Sequence, residues 1–355
     1  MDRSGYRGRD ERPASRILWM KIEPGTDSVR VFTVRFRGRP DRYVAAWKQP
    51  DRVTGADRSV VIVLSTRGCR WFHETGGCVF CSYPLEGAGT RVPPELLIRQ
   101  FERAYSRHRP DSPHGVKLFT SGSFLDPEEV PDEAVREILG RLAENELVTE
   151  VSFESRPEFI TDERLELITE VLDGKSFEVG IGLETSDDEL RASMNKGFSF
   201  REFAKAVKKV REYGGIPKAY VMLKLPFLSE AEAIRDAYMS CVDAHLAGCT
   251  RISICPTTVH RETVLEKAWR VGLYRPPWLW TCVEVARKVK GTLGDRVDLL
   301  VDTSGAGTPR GPSNCPRCSR RVARALREFT RTQDIGRLEG LKCSCLAVWR
   351  THIVC

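Results

Sequence analysis

Three cysteines follow a short apolar segment near residue 60, and their number and spacing indicate metal chemistry. Eight residues separate Cys69 from Cys78, two separate Cys78 from Cys81, and the aromatic Phe80 directly precedes the last cysteine. Three thiolates leave one iron of a four-iron cubane free for an outside ligand, whereas structural zinc sites and electron-transfer clusters usually have a fourth protein ligand. The pattern therefore favours an iron–sulfur cluster that keeps one iron open for chemistry.

A zinc knuckle is the alternative reading of the same loop. His73 lies between Cys69 and Cys78 and would complete a site with four ligands. Zinc motifs usually separate their paired ligands by two to four residues, and the first spacing here is longer. The spacing favours the cluster, and zinc stays as the alternative.

A second group of cysteines near the C-terminus predicts a separate metal site. It consists of two pairs, Cys315 with Cys318 and Cys343 with Cys345. Four thiolates suit tetrahedral zinc, which would stabilise a tail that has little apolar core of its own. Because the second pair is spaced by a single residue, His352 or Cys355 could replace one of its members. Free structural thiols are the alternative, and the four remaining cysteines are expected to be small buried hydrophobes: Cys241, Cys249, Cys255 and Cys282.

The elements that must position the first loop are strands that alternate with helices of about 10 to 15 residues, the pattern of parallel βα units. The predicted strands are residues 60–64, 116–120, 148–154, 177–183, 220–225 and 251–255, and residues 297–301 are a candidate for one more. The predicted helices are residues 94–108, 133–146, 162–172, 200–213, 230–246, 281–290 and 322–330. Six units are too few to close a barrel of eight, so the predicted fold class is α/β, a partial (β/α)6 TIM-type barrel.

The ends of the predicted strands carry further candidate residues, because the C-terminal ends of barrel strands form the active face. These candidates are Ser121, Gly122, Ser123, Glu154, Arg156 and Glu184. Gly122 would let backbone amides approach a ligand closely, although a plain turn explains it equally well. Glu154 and Arg156 could bind a ligand or form an ion pair at the rim.

The cysteine loop and these turns together resemble the radical S-adenosylmethionine (SAM) superfamily, in the elongator-like branch with the longer first spacing. The common spacing of the superfamily has three residues where this chain has eight. The stretches that carry the resemblance are Gly122-Ser123-Phe124 with Pro127, Glu154-Ser155-Arg156-Pro157, and Met194-Asn195-Lys196-Gly197-Phe198. Residues 224–229, 274–280 and 342–345 resemble more narrowly the family of RaSEA, the radical SAM subunit of archaeosine synthase. The similarity covers most of the chain from about Ser59 onward.

The resemblance implies the cofactors and their ligands. A [4Fe-4S] cluster would be bound by Cys69, Cys78 and Cys81. SAM would be held by Phe80, Ser121, Gly122, Ser123, Glu154, Arg156 and Glu184. Candidate substrate-binding residues at the barrel mouth are Lys224, Arg275, Trp278 and Trp280. The aromatic residues of this last segment could stack on a flipped base, although such segments are more often part of a core.

The resemblance also implies the reaction and the partners. In that family a 5′-deoxyadenosyl radical acts on tRNA whose D-loop 7-cyano-7-deazaguanine has been joined to lysine by a lysine transferase, ArcS. Cleavage of the lysine-derived C–N bond leaves the formamidine group of archaeosine. The partners implied are tRNA, ArcS and an external electron donor.

Other functions remain as alternatives. A methylthiotransferase should carry a second cysteine trio ahead of the SAM loop, and residues 1–68 contain no cysteine. Elongator-like acyl-tRNA chemistry would need an acetyltransferase domain, for which the 65 residues after the predicted barrel leave little room. A non-catalytic, zinc-stabilised RNA-binding protein is the non-enzymatic alternative.

Size, composition and charge set the wider expectations. The 355 residues should form an N-terminal extension (1–57) with a hairpin from residues 17–22 and 29–36, a barrel core (58–290) and a cysteine-rich tail (291–355). No apolar run is long enough to span a bilayer, the charged N-terminus lacks an apolar signal core, and twelve cysteines suit a reducing cytoplasm.

The basic residues of the tail are candidates for phosphate contacts. The net charge is +7, a modest excess that is compatible with a nucleic-acid partner but also typical of a solvated surface. Examples among the arginines of the tail are Arg317, Arg320, Arg321, Arg324 and Arg327. Arg320, Arg324 and Arg327 lie at helical spacings, so we expect them on one exposed face.

Overall fold

The computed structural model describes residues 16–22 and 29–354. The ten strands of this part are β1 (Arg16–Ile22), β2 (Val29–Arg35), β3 (Ala45–Val53), β4 (Ala56–Val63), β5 (His114–Phe119), β6 (Val148–Ser155), β7 (Ser176–Glu184), β8 (Ile216–Leu223), β9 (Arg251–Pro256) and β10 (Asp298–Val301). Strands β1 and β2 pair antiparallel, which confirms the predicted hairpin strands. The turn predicted between them, residues 24–27, lies outside the described residues.

The other eight strands form one curled sheet in the order β10-β9-β8-β7-β6-β5-β4-β3. Strands β4 to β10 run parallel, and β3 pairs antiparallel with β4 along the far edge. The predicted partial α/β barrel is confirmed, with β10 as the seventh parallel strand. Strand β3 was not predicted, because its Lys48, Gln49 and Pro50 give it the polar, proline-bearing composition of an edge strand.

The helices of the described residues are α1 (Arg70–Thr75), α2 (Pro94–His108), α3 (Asp132–Ala143), α4 (Asp162–Leu172), α5 (Asp188–Ser193), α6 (Phe200–Glu212), α7 (Glu230–Ala247), α8 (Val264–Arg270), α9 (Leu279–Leu293), α10 (Ser319–Thr332) and α11 (Cys345–Thr351). The long ones match the predicted helices, and α1, α5, α8 and α11 are short additions. Capping boxes at Ser199 with Glu202 and at Ser229 with Glu232 fix where α6 and α7 begin. None of the described helices combines the length and the apolar composition that crossing a bilayer requires.

The two faces of the curled sheet differ in polarity. Alternate residues such as Val116, Val151 and Val179 are fully buried in the core between the sheet and the helices. The residues between them, such as Lys117, Glu150 and Glu178, are also buried but carry charge. Because successive side chains of a strand point to opposite faces, the concave interior of the barrel is polar.

Ion pairs span this interior and connect strands that are not neighbours. Arg251 on β9 donates to both carboxylate oxygens of Glu150 on β6, at 2.7 and 2.9 Å, and to Glu178 on β7 at 2.8 Å. Lys117 on β5 contacts Asp51 on β3 at 2.6 Å. Burial alone would raise the pKa of Asp51, but the Lys117 ammonium group outweighs that effect and holds the pKa at about 2. These pairs hold the sheet in its curled form.

Arg251 offers a test of this role. We expect Arg251→Leu to leave Glu150 and Glu178 buried without their shared cation, and to lower the free energy of unfolding by about 3–5 kcal/mol. Arg136→Leu is the control, because the Arg136–Glu170 pair is more than half exposed and exposed pairs contribute about 0–1 kcal/mol. Urea unfolding of the two variants measures the difference, and equal midpoints would contradict a structural role for the interior pairs.

Candidate metal centres

The loop of the first three cysteines follows β4, and the short helix α1 fills most of its first spacing. Cys69 stands at the N-terminal end of the six-residue helix α1, and Gly76 and Gly77 follow the helix with φ of 88° and 76°. Positive φ favours glycine, which explains why the two glycines stand there. Cys78 and Cys81 then form a turn in which the backbone N–H of Cys81 donates to the carbonyl of Cys78 at 3.1 Å. The eight-residue spacing is therefore one helix plus two turn residues.

The segment after α5 holds this loop in place. The backbone N–H of Val79 donates to the carbonyl of Met194 at 3.1 Å, and Asn195 Nδ2 donates to the carbonyl of Gly77 at 2.8 Å. Trp71 Nε1 donates in return to the carbonyl of Asn195 at 2.7 Å. A Cβ atom on Gly197 would lie 2.2 Å from the Trp71 ring, so only glycine lets the two segments approach this closely.

Gly122, at the end of β5, lies directly against Cys69. A Cβ atom at residue 122 would lie 2.5 Å from Cys69 Cα and 2.3 Å from a carboxylate oxygen of Glu129. The buried Glu129 accepts hydrogen bonds from the backbone N–H of Ser123 and from the Thr66 hydroxyl, so it joins the turns that follow β5 and β4. Burial raises the pKa of Glu129 to about 7, and these hydrogen bonds oppose the rise. Sequence reasoning missed Glu129, since no pattern marks an acid in a turn as buried.

Glu184 and Arg156 are fixed by contacts around the cysteine loop. Glu184, at the end of β7, has φ of 65° and accepts from Lys196 Nζ at 2.6 Å. Arg156 donates to the carbonyl of Lys196 at 2.9 Å, forms an ion pair with Glu158 and lies over the Trp71 ring at 5.0 Å. The structure therefore brings Glu184 and Arg156 together at the barrel mouth beside the cysteines.

The Glu154 side chain does not lie beside that of Arg156. Its carboxylate lies among the inner-face residues, where burial raises its pKa and a hydrogen bond with the Tyr220 hydroxyl opposes the rise. Arg156 pairs with Glu158 and not with Glu154, so the rim ion pair, which was one of the two alternatives for these residues, does not form.

The remaining candidates for SAM contacts lie close to the loop. Ser123 Oγ accepts from the backbone N–H of Arg156 at 3.1 Å. Ser121 Oγ is buried and has no hydrogen-bond partner among the described residues. Phe80 is partly buried and packs against two small apolar clusters that include Met194 and Tyr274.

The donor set of the first loop fits a cluster better than a single ion. Within the part of the chain that the structure describes, only the four C-terminal cysteines have ligand atoms that all lie within 4.8 Å of one another. His73 instead places Nε2 3.0 Å from the carbonyl of Arg67, and its ring stacks on Phe36. Burial raises the pKa of Cys69 to about 11 and also raises the pKa of Cys78 and Cys81. A cubane binds each thiolate through a different iron, so it suits sulfurs that do not converge on one point.

The four C-terminal cysteines have the geometry of a tetrahedral metal site. The Sγ–Sγ distances are 3.7 Å for Cys315–Cys318, 3.5 Å for Cys315–Cys343 and 3.5 Å for Cys318–Cys345. Four sulfurs around zinc at about 2.3 Å would be about 3.8 Å apart. Both members of the closely spaced pair take part, so the exposed His352 is not required, and Cys355 lies outside the described residues. The residues present fit zinc.

The candidate substrate residues connect the barrel to the tail. Lys224, just after β8, has φ of 66° and contacts Glu230 at 2.7 Å. Arg275 lies over the Trp278 ring at 4.1 Å. Trp280 is 3% exposed, and its Nε1 donates to Cys345 Sγ at 3.3 Å. The structure thus places Trp280 in the core, against the C-terminal cysteine group.

Comparison with known proteins shows which family this chain is similar to. The family model described as the Radical SAM superfamily matches residues 63–237. Archaeosine synthase subunit beta of Methanosarcina acetivorans is 39% identical over 309 residues, which cover 86% of this chain and 88% of that protein. The protein of the same name from Thermococcus kodakarensis is 36% identical over 307 residues, 85% of this chain and 94% of the other. Among solved structures, Elp3 of Methanocaldococcus infernus without residues 1–46 gives a TM-score of 0.49 at 16% identity, over 70% of this chain and 60% of that one.

Gly122 provides a test of the cysteine loop. We expect Gly122→Ala to displace the Cys69 backbone, because the added Cβ overlaps it, and to lower the iron bound after anaerobic reconstitution by at least about twofold. Gly291→Ala is the control, since Gly291 lies in α9 with nothing within 4 Å of the added atom. Elemental analysis should show unchanged zinc in both variants. Wild-type iron content in Gly122→Ala would contradict the proposed packing.

A substitution of Cys318 tests whether the C-terminal cysteine group binds zinc. We expect Cys318→Ser to lose stoichiometric zinc while keeping iron, because the serine hydroxyl is a poor fourth ligand among thiolates. Cys282→Ser is the matched control, a fully buried thiol on α9 outside the metal-ligand group. Unchanged zinc in Cys318→Ser would mean that these cysteines are structural thiols.

Proposed function

The chain belongs to the radical SAM superfamily and, within it, to the family of archaeosine synthase subunit beta, and from this premise we propose the reaction it performs. It cleaves the lysine C–N bond of a lysine-modified 7-cyano-7-deazaguanine in the tRNA D-loop and leaves the formamidine group of archaeosine. The observation that carries the proposal is the 39% identity over most of both chains, together with three cysteines on one strand-end loop.

The residues of the barrel mouth would bind the cofactors. Cys69, Cys78 and Cys81 would hold a [4Fe-4S] cluster, which together with SAM supplies the 5′-deoxyadenosyl radical that removes a hydrogen atom from the substrate. The SAM contacts proposed from the sequence are Phe80, Ser121, Gly122, Ser123, Glu154, Arg156 and Glu184. Support comes from the contact of Gly122 with Cys69 and from the fixed positions of Arg156 and Glu184 beside the loop. The surrounding protein would exclude water from the radical.

The partners follow from the same premise. The relatives are named as subunits, which supports a partner protein, and we assign this role to the lysine transferase ArcS. The further partners are tRNA and an external electron donor, and the proposed location is the cytoplasm. Zinc in the C-terminal site would have a structural role, since four thiolates leave no open position for a substrate.

A basic face on α10 supports tRNA as the macromolecular substrate. The exposed arginines of the tail include five on the first part of α10 or just before it: Arg317, Arg320, Arg321, Arg324 and Arg327. The opposite side of α10 buries Val322, Leu326 and Phe329 in the core, so the arginines must face outward. Among the described residues none of the five forms an ion pair with a carboxylate. Their charges are therefore available to phosphates.

Turnover is the direct test of the proposed function. A synthetic tRNA that carries the lysine-modified base is incubated anaerobically with reconstituted protein, SAM and a reductant, and the nucleosides are then analysed by mass spectrometry. We expect archaeosine from the wild type and from Cys282→Ser, and none from Cys78→Ala. Colourless protein after reconstitution, or full SAM cleavage by Cys78→Ala, would argue against the cluster assignment and favour a non-catalytic RNA-binding protein.

The basic face on α10 predicts how tRNA binding depends on the salt concentration. Replacing Arg320, Arg324 and Arg327 by Gln should weaken tRNA binding and reduce the slope of log K against log salt by about two, since each lost phosphate contact contributes roughly 0.7 to 0.9. The control replaces Arg99, Arg103 and Arg107, which lie at similar helical spacing on α2. That helix also carries Glu95 and Glu102, so its net charge is lower than that of α10. An equal loss of tRNA affinity in both triple variants would show that binding depends on the net charge of the protein in general and not on the basic face of α10.

A further inference from the structure

Tyr83 follows the cysteine loop directly and presents its ring to open space. It begins a short 3-10 turn (Tyr83–Glu86) two residues after Cys81, and its side chain is 61% exposed. The His260 ring meets it edge to face, with centroids 4.7 Å apart and planes at 85°. An aromatic ring this exposed has one face free for a planar ligand.

The surroundings of Tyr83 are those of a recess and not of the outer surface. Its ring contacts that of His260, which follows the end of β9 in the chain. Tyr83 itself follows the cysteine loop that begins at the end of β4, so both rings lie at the C-terminal ends of the barrel strands. The space beside them is therefore the mouth of the curled sheet.

The strand register places Asp302 and Cys255 side by side on the inner face of this recess. Val301 pairs with Ile254, and the backbone N–H of Asp302 donates to the Ile254 carbonyl at 2.9 Å. Val301 and Ile254 are buried in the core towards the helices, so the next residue of each strand points into the barrel. Neighbouring strands lie about 4.8 Å apart, which brings the Asp302 carboxylate close to the Cys255 thiol.

The Asp302 charge is not neutralised by the part of the chain that the structure describes. Its Oδ1 accepts from the backbone N–H and the hydroxyl of Ser304, at 2.9 and 2.7 Å. No described lysine or arginine forms an ion pair with it, in contrast to Glu184, which Lys196 neutralises at 2.6 Å. Burial lowers the pKa of His260, so the imidazole is neutral near pH 7 and does not supply the missing charge. The recess therefore combines an aromatic face with an uncompensated negative charge.

We propose that this recess, formed by Tyr83, His260, Cys255 and Asp302, binds the modified base itself: Tyr83 stacks on the deazapurine ring and Asp302 pairs with the cationic amidine. The inference rests on the proposed function, which supplies the identity of the base. An N-alkylated amidine is protonated at neutral pH and presents N–H donors in one plane, the arrangement in which arginine binds a carboxylate. The precursor base, 7-cyano-7-deazaguanine, carries a neutral nitrile where the lysine-modified base carries the amidine.

This assignment moves base recognition away from the aromatic segment indicated by the sequence. Tyr274 is 7% exposed and Trp280 is 3% exposed, and Arg275 covers one face of Trp278. Tyr83 by contrast is exposed and stands next to the proposed cluster ligands. A base held there would place the lysine-bearing group close to the site where SAM is cleaved.

The test measures binding without turnover, with reconstituted protein and SAM in the absence of reductant. The ligands are tRNAs that carry the lysine-modified base, the neutral 7-cyano-7-deazaguanine or unmodified guanine. Asp302→Asn should reduce the preference for the lysine-modified over the cyano tRNA by about tenfold, because only the former carries the charge. Asn keeps an oxygen that can accept from Ser304, so the turn should be retained. Asp57→Asn, which alters a largely exposed carboxylate on β4, is the control.

Tyr83 variants test the stacking half of the proposal. Tyr83→Leu should weaken binding of both deazaguanine tRNAs by about tenfold, and Tyr83→Phe should bind like the wild type. Iron content and circular dichroism check that each variant is folded and loaded. Equal loss of affinity for the lysine-modified and cyano tRNAs in Asp302→Asn, or wild-type binding by Tyr83→Leu, would overturn the proposal. If the wild type binds the lysine-modified tRNA in preference to the cyano tRNA but does not turn it over, the proposed reaction is wrong. The proposed binding role of the recess is then still supported.

Discussion

The fold depends on a buried charge that spans the open barrel. Arg251 reaches from β9 to Glu150 on β6 and Glu178 on β7, so it can be satisfied only when the sheet curls. Removing these charges from water is costly, and the bidentate geometry with Glu150 offsets that cost. A flat sheet with the same strand order would separate Arg251 from both carboxylates, although Glu178 would keep its 3.5 Å contact with Lys218 on the neighbouring strand β8. The curl brings the C-terminal ends of seven parallel strands around one space, which is what a common active site requires.

At those strand ends the backbone adopts unusual conformations that ion pairs hold in place. Glu184 and Lys224 both have φ near 65°, a region that costs non-glycine residues about 1 kcal/mol or more. Each is fixed by a short contact with an opposite charge, Glu184 with Lys196 and Lys224 with Glu230. The left-handed residue turns the chain sharply away from the strand. The pairs therefore determine where the loops of the mouth begin.

The sequence predicted the periodic parts of this structure and the spacing of the cysteines, but not the contacts between distant residues. The six expected strands and the long helices are present because hydrophobic periodicity reports burial directly. The partners of Arg251 are 101 and 73 residues away, and no local pattern identifies them. Cys255 was expected to be a small buried hydrophobe, yet it is partly exposed on the inner face, since Ile254 occupies the core side of β9. The exposure of Tyr83 depends on the same tertiary curl and has no signal in the sequence.

The tail is structurally continuous with the barrel mouth. Trp349 on α11 donates to the Thr281 hydroxyl at 2.8 Å, and Thr281 in turn donates to Glu230, the partner of Lys224. A chain of buried hydrogen bonds thus runs from the helix that begins at Cys345 to the end of β8. Because α10 also buries one face in the core, disruption of the C-terminal cysteine group would loosen a surface that the barrel shares. The four cysteines therefore stabilise the part of the tail that packs beside the barrel mouth and that bears the exposed arginines.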